Sequence, residues 1–152
     1  MKVEKEFEKL LRLLNRNKVK YCIVGAYAVA FYGRPRYTKD IDIWIDPTPE
    51  NVKKANEALA EFGSPYLLTI NNPEEILQIG VEPNRIDILQ HLERVTFSNA
   101  WESRITDNYG EIGVNWIDID NLIRAKELID HPRHKEDVKI LQEVKKLHKQ
   151  KE

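Results

Sequence analysis

The stretch of sequence that decides the fold is residues 25–46, GAYAVAFYGRPRYTKDIDIWID. Its first third is apolar and lies between Gly25 and Gly33, which predicts a short helix bounded by glycines. A basic loop follows. Residues 39–45, KDIDIWI, then alternate polar and apolar side chains with the period of a β-strand. The stretch therefore predicts a helix, a basic loop and a strand in immediate succession.

Two acids lie on this predicted strand. Asp40 and Asp42 are two residues apart, so both carboxylates point to one face, about 6–7 Å apart along the strand. Ile41 and Ile43 point to the other face, where they can be buried. Two like charges this close are costly unless a cation neutralises them. Oxygen ligands at this spacing suit Mg²⁺ or Mn²⁺.

A third acid has the same setting. Asp87 lies between Ile86 and Ile88 on a second predicted strand, residues 85–90. If that strand lies beside residues 39–45, the three carboxylates share one face and can hold two divalent ions about 3.5–4 Å apart. Such a pair of ions serves in-line displacement at phosphorus. An Asp-x-Asp pair alone is more often the solvated face of an edge strand; the third acid is what favours a metal site.

A phosphate-binding element precedes the acids. Gly25 lies where a predicted strand meets a predicted helix, and the free N–H groups of a helix start favour an anion there. A glycine also lets the backbone approach a ligand closely. Arg34, Arg36 and Lys39 follow in the loop and can contact phosphate oxygens.

With these motifs, the sequence resembles the nucleotidyltransferase superfamily with the DNA-polymerase-β-like fold, in particular its small minimal and toxin–antitoxin-type members. The opening motif of that family is a hydrophobic strand, Gly-Gly or Gly-Ser, a helix, and then Arg-x-Thr-x-Asp-hydrophobic-Asp. The runs VGAYAVAFYGRPRYTKDIDIWI, LQIGVEPNRIDIL and DIDNLIRAKELIDHPRHKEDVKIL are similar to three family segments, and the resemblance spans about residues 5–142. The matching polar residues are Arg36, Thr38, Asp40, Asp42, Asp87, Lys126 and Asp137.

The resemblance implies an enzyme that moves an NMP unit from an NTP to an acceptor hydroxyl and releases pyrophosphate. It implies two Mg²⁺ or Mn²⁺ ions bound by Asp40 and Asp42. The same resemblance gives Asp87 the catalytic ion and a part in deprotonating the acceptor hydroxyl.

The resemblance also implies how the nucleotide is bound. Gly25 and the backbone of Ala26 would hold the triphosphate, Lys126 would reach the β- and γ-phosphates, and Asp137 would orient Lys126 or contact the nucleotide. In the loop, Thr38 would order the segment before the acids, and Arg36 is a weaker phosphate ligand.

Three residues depart from the family pattern. Ala26 replaces the usual Gly or Ser, which removes a hydroxyl and keeps the N–H. His131 stands where an Arg is common, and His134 stands where an Asp is common. These changes affect nucleotide binding and leave the three acids in place. The two histidines are three residues apart, which favours a solvated helix start over a metal pair.

Periodicity along the rest of the chain predicts an α+β (α/β) fold of the nucleotidyltransferase type, with a small mixed sheet flanked by helices. We expect one domain over residues 1–152, with its core at about 19–117 and a C-terminal helical segment at about 118–150. The predicted helices cover residues 2–15, 26–32, 49–62, 97–103, 120–130 and 134–148, and the predicted strands cover residues 19–24, 39–45, 76–81, 85–90 and 112–117.

Composition excludes several classes of protein. The 152 residues are 41% hydrophobic and 32% charged, as in soluble globular proteins. No apolar run approaches the ~20 residues that span a bilayer, and the charged start is unlike a signal peptide. Cys22 is the single cysteine, so an internal disulfide is impossible. We therefore expect a cytoplasmic protein with no membrane partner.

The acceptor and the partners stay open at this stage. A protein, a tRNA or a small molecule can supply the hydroxyl, and the short chain favours a macromolecular acceptor or a site completed by a homodimer. The alternative is a catalytically weak module that binds a nucleotide or a toxin–antitoxin partner, as an antitoxin does. A nuclease is disfavoured because no further His or carboxylate motif accompanies the acids.

Overall fold

The computed structural model of the chain is an α+β fold in which helices flank one six-stranded mixed sheet. It describes residues 1–33, 40–81, 84–127 and 131–151, with side chains up to residue 147. The described helices are α1 (Lys5–Arg16), α2 (Gly25–Tyr32), α3 (Pro49–Phe62), α4 (Phe97–Ser103), α5 (Ile119–Glu127) and α6 (Pro132–Lys151). The described strands are β1 (Tyr21–Val24), β2 (Ile41–Ile45), β3 (Ile76–Ile79), β4 (Ile86–Leu89), β5 (Ile105–Tyr109) and β6 (Ile112–Trp116).

The sheet order is β3-β4-β2-β1-β6-β5. β2 is antiparallel to β1 and parallel to β4, and β6 is parallel to β1. The two outer strands, β3 and β5, are antiparallel to their neighbours. The sheet is therefore mixed, as predicted, and β2 and β4 lie side by side.

Alternation along β2 and β4 is what fixes them in the sheet. Ile41, Ile43, Ile45 and Ile88 are fully buried, and Ile86 is 2% exposed. Burying such a side chain contributes roughly 1.5–3 kcal/mol. A shift of either strand by one residue would move this set to the face of the acids and turn the acids into the core. The isoleucines therefore set the register that positions the carboxylates.

The first helix begins later than the apolar spacing predicts. α1 starts at Lys5, and Val3, which belongs to the same helical spacing, lies ahead of the helix and is exposed. The backbone N–H of Glu4 donates to the Tyr109 hydroxyl at 2.9 Å, which ties this end of the helix to β5. Phe7 and Leu14 are fully buried, so the amphipathic face is as predicted.

The third helix has the predicted ends. Thr48 is its N-cap residue, Pro49 its first residue and Gly63 its left-handed C-cap, with φ +93°. The buried Asn51 accepts a hydrogen bond from the backbone N–H of Lys20 at 2.9 Å and donates to the carbonyls of Lys20 and Asp46. One side chain therefore connects α3 to the start of β1 and the end of β2.

Two further elements differ from the sequence prediction. β5 was not predicted, because four of its five side chains are exposed polar or edge residues and only Tyr109 is buried. Its pairing with β6 supplies the strand conformation that its own sequence does not indicate. At the C-terminus, Pro132 begins α6 instead of preceding it, because a proline is well suited to the first turn of a helix.

α5 and α6 pack against each other and against α2. The predicted helix over residues 120–130 is seen as Ile119–Glu127, and residues 128–130 lie outside the described ranges. Across the described residues, no helix is both long enough and apolar enough to cross a membrane.

Candidate active site

The site is built where β1 ends and where β2 and β4 begin. In the sheet, Asp42 is the register partner of Val24 on one side and of Asp87 on the other. Gly25 follows Val24 directly and begins α2. Two carboxylates on neighbouring strands and a glycine at a helix start are therefore brought together by strand pairing alone.

Asp42 is crowded by like charge. Burial, and then the nearby carboxylates of Asp87 and Asp40, raise its pKa from 3.8 to about 7, and Lys126 offsets part of this effect. A hydrogen bond between the carboxyls of Asp42 and Asp87 acts in the same direction. Such a bond requires a proton on one of the two groups, so near neutral pH this pair holds a proton readily.

Asp40 and Asp87 are neutralised in a different way. Arg85 donates from Nε to Asp87 Oδ1 at 2.8 Å and from Nη2 to Asp87 Oδ2 at 3.1 Å. Its Nη2 also lies 3.0 Å from Asp40 Oδ2. One guanidinium therefore contacts the carboxylates of two neighbouring strands.

Gly25 is required here for two reasons. Its φ is +67°, in the left-handed region that side chains other than glycine rarely adopt. A Cβ at this position would also collide with Oδ2 of Asp42. The backbone at the start of α2 therefore approaches the Asp42 carboxylate as closely as the chain permits.

The opposite wall of the site carries a buried cation. Lys126 of α5 is 6% exposed, and its Nζ lies 3.2 Å from Oδ2 of Asp137 and 3.3 Å from Nδ1 of His134, both on α6. Burial and the neighbouring Lys126 lower the pKa of His134, so the imidazole is neutral and can accept from the ammonium. The predicted pairing of Lys126 with Asp137 is present in the structure.

A cleft of about 170 Å³ lies between these groups. Gly25 and Asp42 line it, and so do Lys126 of α5 and His134 of α6. Its apolar lining is made by Val24, Leu89, Leu92, Leu122 and Ala125. The cleft therefore offers an anion two kinds of donor, the N–H groups at the start of α2 and the Lys126 ammonium.

The three acids have the chemistry of ligands for a divalent ion, but their present arrangement does not form a binding site for one. Their oxygens are the ligands that Mg²⁺ and Mn²⁺ prefer, and Oδ1 of Asp40 is buried with no hydrogen-bond partner among the described residues. Within the same ranges, however, no three Asp, Glu, His or Cys side chains form a group that could hold a metal ion. The three carboxylates are suitable ligands for such an ion, and the guanidinium of Arg85 contacts two of them, Asp40 and Asp87.

The other predicted residues have simpler positions. Ala26 follows Gly25 in the first turn of α2 and is partly buried. Arg36 and Thr38, predicted to bind the nucleotide, lie outside the described residues. Nδ1 of the exposed His131 accepts from the backbone N–H of Arg133 at 3.1 Å, as predicted for a solvated helix start. The same prediction is wrong for His134, which is partly buried and contacts Lys126.

Sequence reasoning missed Arg85 and Gln90. Arg85 is two residues before Asp87, and the alternation of a strand places both on one face, so the signal was available. Gln90 follows β4, is 2% exposed, and has neither a donor nor an acceptor partner for its amide within the described ranges. Nothing in its sequence context indicates burial.

Comparison with known proteins identifies the fold. No protein-family model matches the chain, and no curated protein matches it. Among solved structures, the lincosamide antibiotic adenylyltransferase LnuA, bound to lincomycin, has a TM-score of 0.64 at 20% identity, covering 93% of this chain and 97% of that chain. ANT(2'')-Ia in complex with adenylyl-2''-tobramycin has a TM-score of 0.59 at 16% identity, covering 93% and 91%.

A third solved structure extends the comparison. An antigenic nucleotidyltransferase-like protein from Paracoccidioides brasiliensis has a TM-score of 0.54 at 12% identity, covering 93% of this chain and 75% of that chain. At such identities the likeness shows the fold alone. The chain therefore has the fold of these nucleotidyltransferases, and the predicted fold is confirmed.

Replacing Gly25 tests the close approach of the backbone to Asp42. We expect Gly25→Ala to lower the free energy of unfolding by more than the roughly 1–2 kcal/mol of left-handed backbone strain, because Asp42 must also move. Urea denaturation measures the change. The matched control is Gly63→Ala, which has the same backbone cost and nothing within 4 Å of the new Cβ. Equal losses in the two variants would contradict the predicted collision.

The raised pKa of Asp42 predicts a pH dependence of stability. Between about pH 4 and pH 7 the folded protein binds a proton that the unfolded chain does not bind, so stability falls as pH rises through this window. In metal-free buffer with EDTA, we expect Asp42→Asn to lack this slope, which is at most about 1.4 kcal/mol per pH unit. Urea unfolding at intervals from pH 5 to pH 8 measures the difference between variant and wild type. The exposed Asp107→Asn control should keep the wild-type slope; an identical slope in Asp42→Asn would refute the shift.

Proposed function

We propose that this protein is a metal-dependent nucleotidyltransferase that transfers an NMP unit from an NTP to an acceptor hydroxyl and releases pyrophosphate. The observation that carries the proposal is the pairing of Asp42 with Asp87 across β2 and β4, facing Lys126 over the cleft. Carboxylates opposite a buried ammonium are what a phosphate chain and its counter-ions need. The fold shared with LnuA and ANT(2'')-Ia agrees with this activity.

The role of each residue in this proposal follows from its charge. The N–H groups at the start of α2 and the Lys126 ammonium bind the triphosphate, and Asp137 and His134 hold that ammonium in place. Asp40, Asp42 and Asp87 would hold the Mg²⁺ or Mn²⁺ ions, and such ions would supply positive charge near the α-phosphate. Apolar side chains of the cleft keep bulk water from the reacting phosphate.

The transfer is a substitution at the α-phosphorus. The acceptor oxygen forms a bond to this phosphorus while the bond from phosphorus to the bridging oxygen of the β-phosphate breaks. The electron pair of the broken bond leaves with pyrophosphate. As the family resemblance implies, Asp87 is the group that would take the proton of the acceptor hydroxyl and pass it to solvent.

The acceptor that the site favours is a small, cationic molecule with hydroxyl groups. A second cavity of about 370 Å³ adjoins the cleft, shares Leu92 and Ala125 with it, and has the size of a small-ligand site. Gln90, with its unpartnered buried amide, contributes to the lining. The remaining residues of this acceptor cavity are Pro73, Glu74, Ile76, His91 and Glu93.

Charge supports the same acceptor class. Glu74 and Glu93 give the acceptor cavity negative charge, which attracts amines and repels polyphosphates. Lincomycin in LnuA and adenylyl-2''-tobramycin in ANT(2'')-Ia are small molecules of this kind.

Labelling with each of four α-³²P-NTPs and Mg²⁺ tests the transfer. We expect label on an acceptor and a loss of at least about 100-fold in Asp42→Asn and Asp87→Asn, as for removal of a group that stabilises transition-state charge. The exposed Asp107→Asn is the control and should label at the wild-type rate. Unchanged turnover in Asp42→Asn would refute the assignment. Bound NTP without label on any acceptor, cell lysate included, would favour the binding-module alternative.

A second assay tests the acceptor class. Tobramycin and lincomycin are offered as cationic acceptors and sucrose as a neutral one, and we expect label only on cationic molecules. Glu93→Gln should raise the acceptor KM about two- to fivefold, because it removes one exposed charge that attracts the cation, and should leave the NTP KM unchanged. The exposed Glu102→Gln is the matched control. Label that appears only on a macromolecule of the lysate would overturn the small-molecule acceptor and leave the transferase in place.

A further inference from the structure

We propose that Arg85 is the resident cation of the acidic site, and that a divalent ion binds by displacing its guanidinium. The inference deepens the proposed function, on which it rests, because it concerns how the same three acids exchange one counter-charge for another. In the metal-free protein the guanidinium takes the position between Asp40 and Asp87 that an ion needs.

The contacts are those of a bridging cation. Arg85 makes a two-pronged pair with Asp87, at 2.8 and 3.1 Å, and its Nη2 also lies 3.0 Å from Asp40. Paired charges of this geometry are among the strong hydrogen bonds of proteins. All three side chains are mostly buried, with 27% of Arg85, 24% of Asp40 and 11% of Asp87 exposed. Solvent screening is therefore weak.

Pairing of β2 with β4 places Arg85 beside Asp40. The N–H of Ile41, the first residue of β2, donates to the carbonyl of Arg85 at 3.1 Å. Arg85 stands one residue before β4, and Asp40 stands one residue before β2, so the parallel pairing places them side by side. Strand alternation then puts Arg85 and Asp87 on one face. Strand pairing therefore brings these side chains together, unlike an ion pair between two flexible side chains on the surface.

The acids form no ready ion site in this arrangement, which accords with a guanidinium in the position of the ion. With the guanidinium on Asp40 and Asp87, the described residues offer no group of three ligands to a metal. Three oxygens that would serve as ligands are taken by Nε and Nη2 of Arg85. A guanidinium stays charged at every working pH, so only its movement can release these oxygens.

Manganese binding measures the exchange directly, without nucleotide or turnover. Free Mn²⁺ is followed by electron paramagnetic resonance during titration of EDTA-treated protein. We expect Arg85→Gln to lower the Mn²⁺ Kd at least tenfold, because the ion no longer displaces a competing cation. Arg12→Gln is the matched control, since Arg12 pairs with Glu8 on the exposed face of α1, and it should bind as the wild type does. If Arg85 instead orients Asp87 for the ion, the Kd rises in Arg85→Gln, and the proposal is overturned.

Thermal unfolding gives a second readout. In EDTA, Arg85→Gln should melt below the wild type, because three crowded carboxylates lose their counter-charge, and saturating Mn²⁺ should raise its melting temperature by more than it raises that of the wild type. An equal or smaller metal-induced rise contradicts the exchange. If Arg85→Gln does not fold in EDTA, Arg85→Lys keeps the charge without the two-pronged contact, and its Kd should fall below the wild-type value; an unchanged or higher Kd overturns the proposal.

Failure of the displacement can be distinguished from failure of the proposed function. An unchanged or higher Mn²⁺ Kd in Arg85→Gln, with acid-dependent labelling intact in the wild type, refutes the displacement alone. A wild-type protein that neither labels an acceptor nor binds Mn²⁺, together with an Arg85→Gln variant that also fails to bind, refutes both the displacement and the proposed function.

Discussion

The parallel register of β2 and β4 places two carboxylates side by side, and the rest of the site is organised around that repulsion. Asp42 and Asp87 are register partners, and the buried isoleucines that flank each of them in sequence favour this register. Repulsion of this kind is relieved by a proton, by a neighbouring cation or by a bound ion. The first two are present here, as the raised pKa of Asp42 and the guanidinium of Arg85. Packing of the core therefore keeps the carboxylates together despite their electrostatic repulsion.

A polyanion that binds in the cleft must lie beside carboxylates, and the residues that line the cleft provide donors for it. Gly25 removes a Cβ that would strike Asp42, so backbone N–H groups lie next to the acids without a side chain between them. Lys126 places a full positive charge across the cleft, and its burial among apolar residues strengthens its field. Donors for a phosphate chain and ligands for its counter-ions therefore lie within one small volume.

Sequence alone predicted those parts of the fold and site whose causes are local. Alternation around Asp40, Asp42 and Asp87 gave the strands, and Gly25 marked the junction with the helix. β5 was missed because its strand conformation comes from β6, and the burial of Gln90 depends on packing that its neighbours in sequence do not reveal. The predicted roles of the acids, and of Arg36 and Thr38 outside the described residues, stay predictions. The ion pairs of Arg85 required knowledge of which strands are adjacent.

The tie between Lys126 and the final helix couples the cleft to the C-terminus of the chain. Asp137, which is 1% exposed, and His134 belong to α6, whereas Lys126 belongs to α5. A ligand that draws the ammonium into the cleft takes it from these partners, so ligand affinity and the packing of α6 are thermodynamically linked. The coupling is reciprocal: whatever holds α6 in place also sets how readily the ammonium can be shared. The C-terminal helix is in this sense part of the binding equilibrium, although most of its length lies away from the cleft.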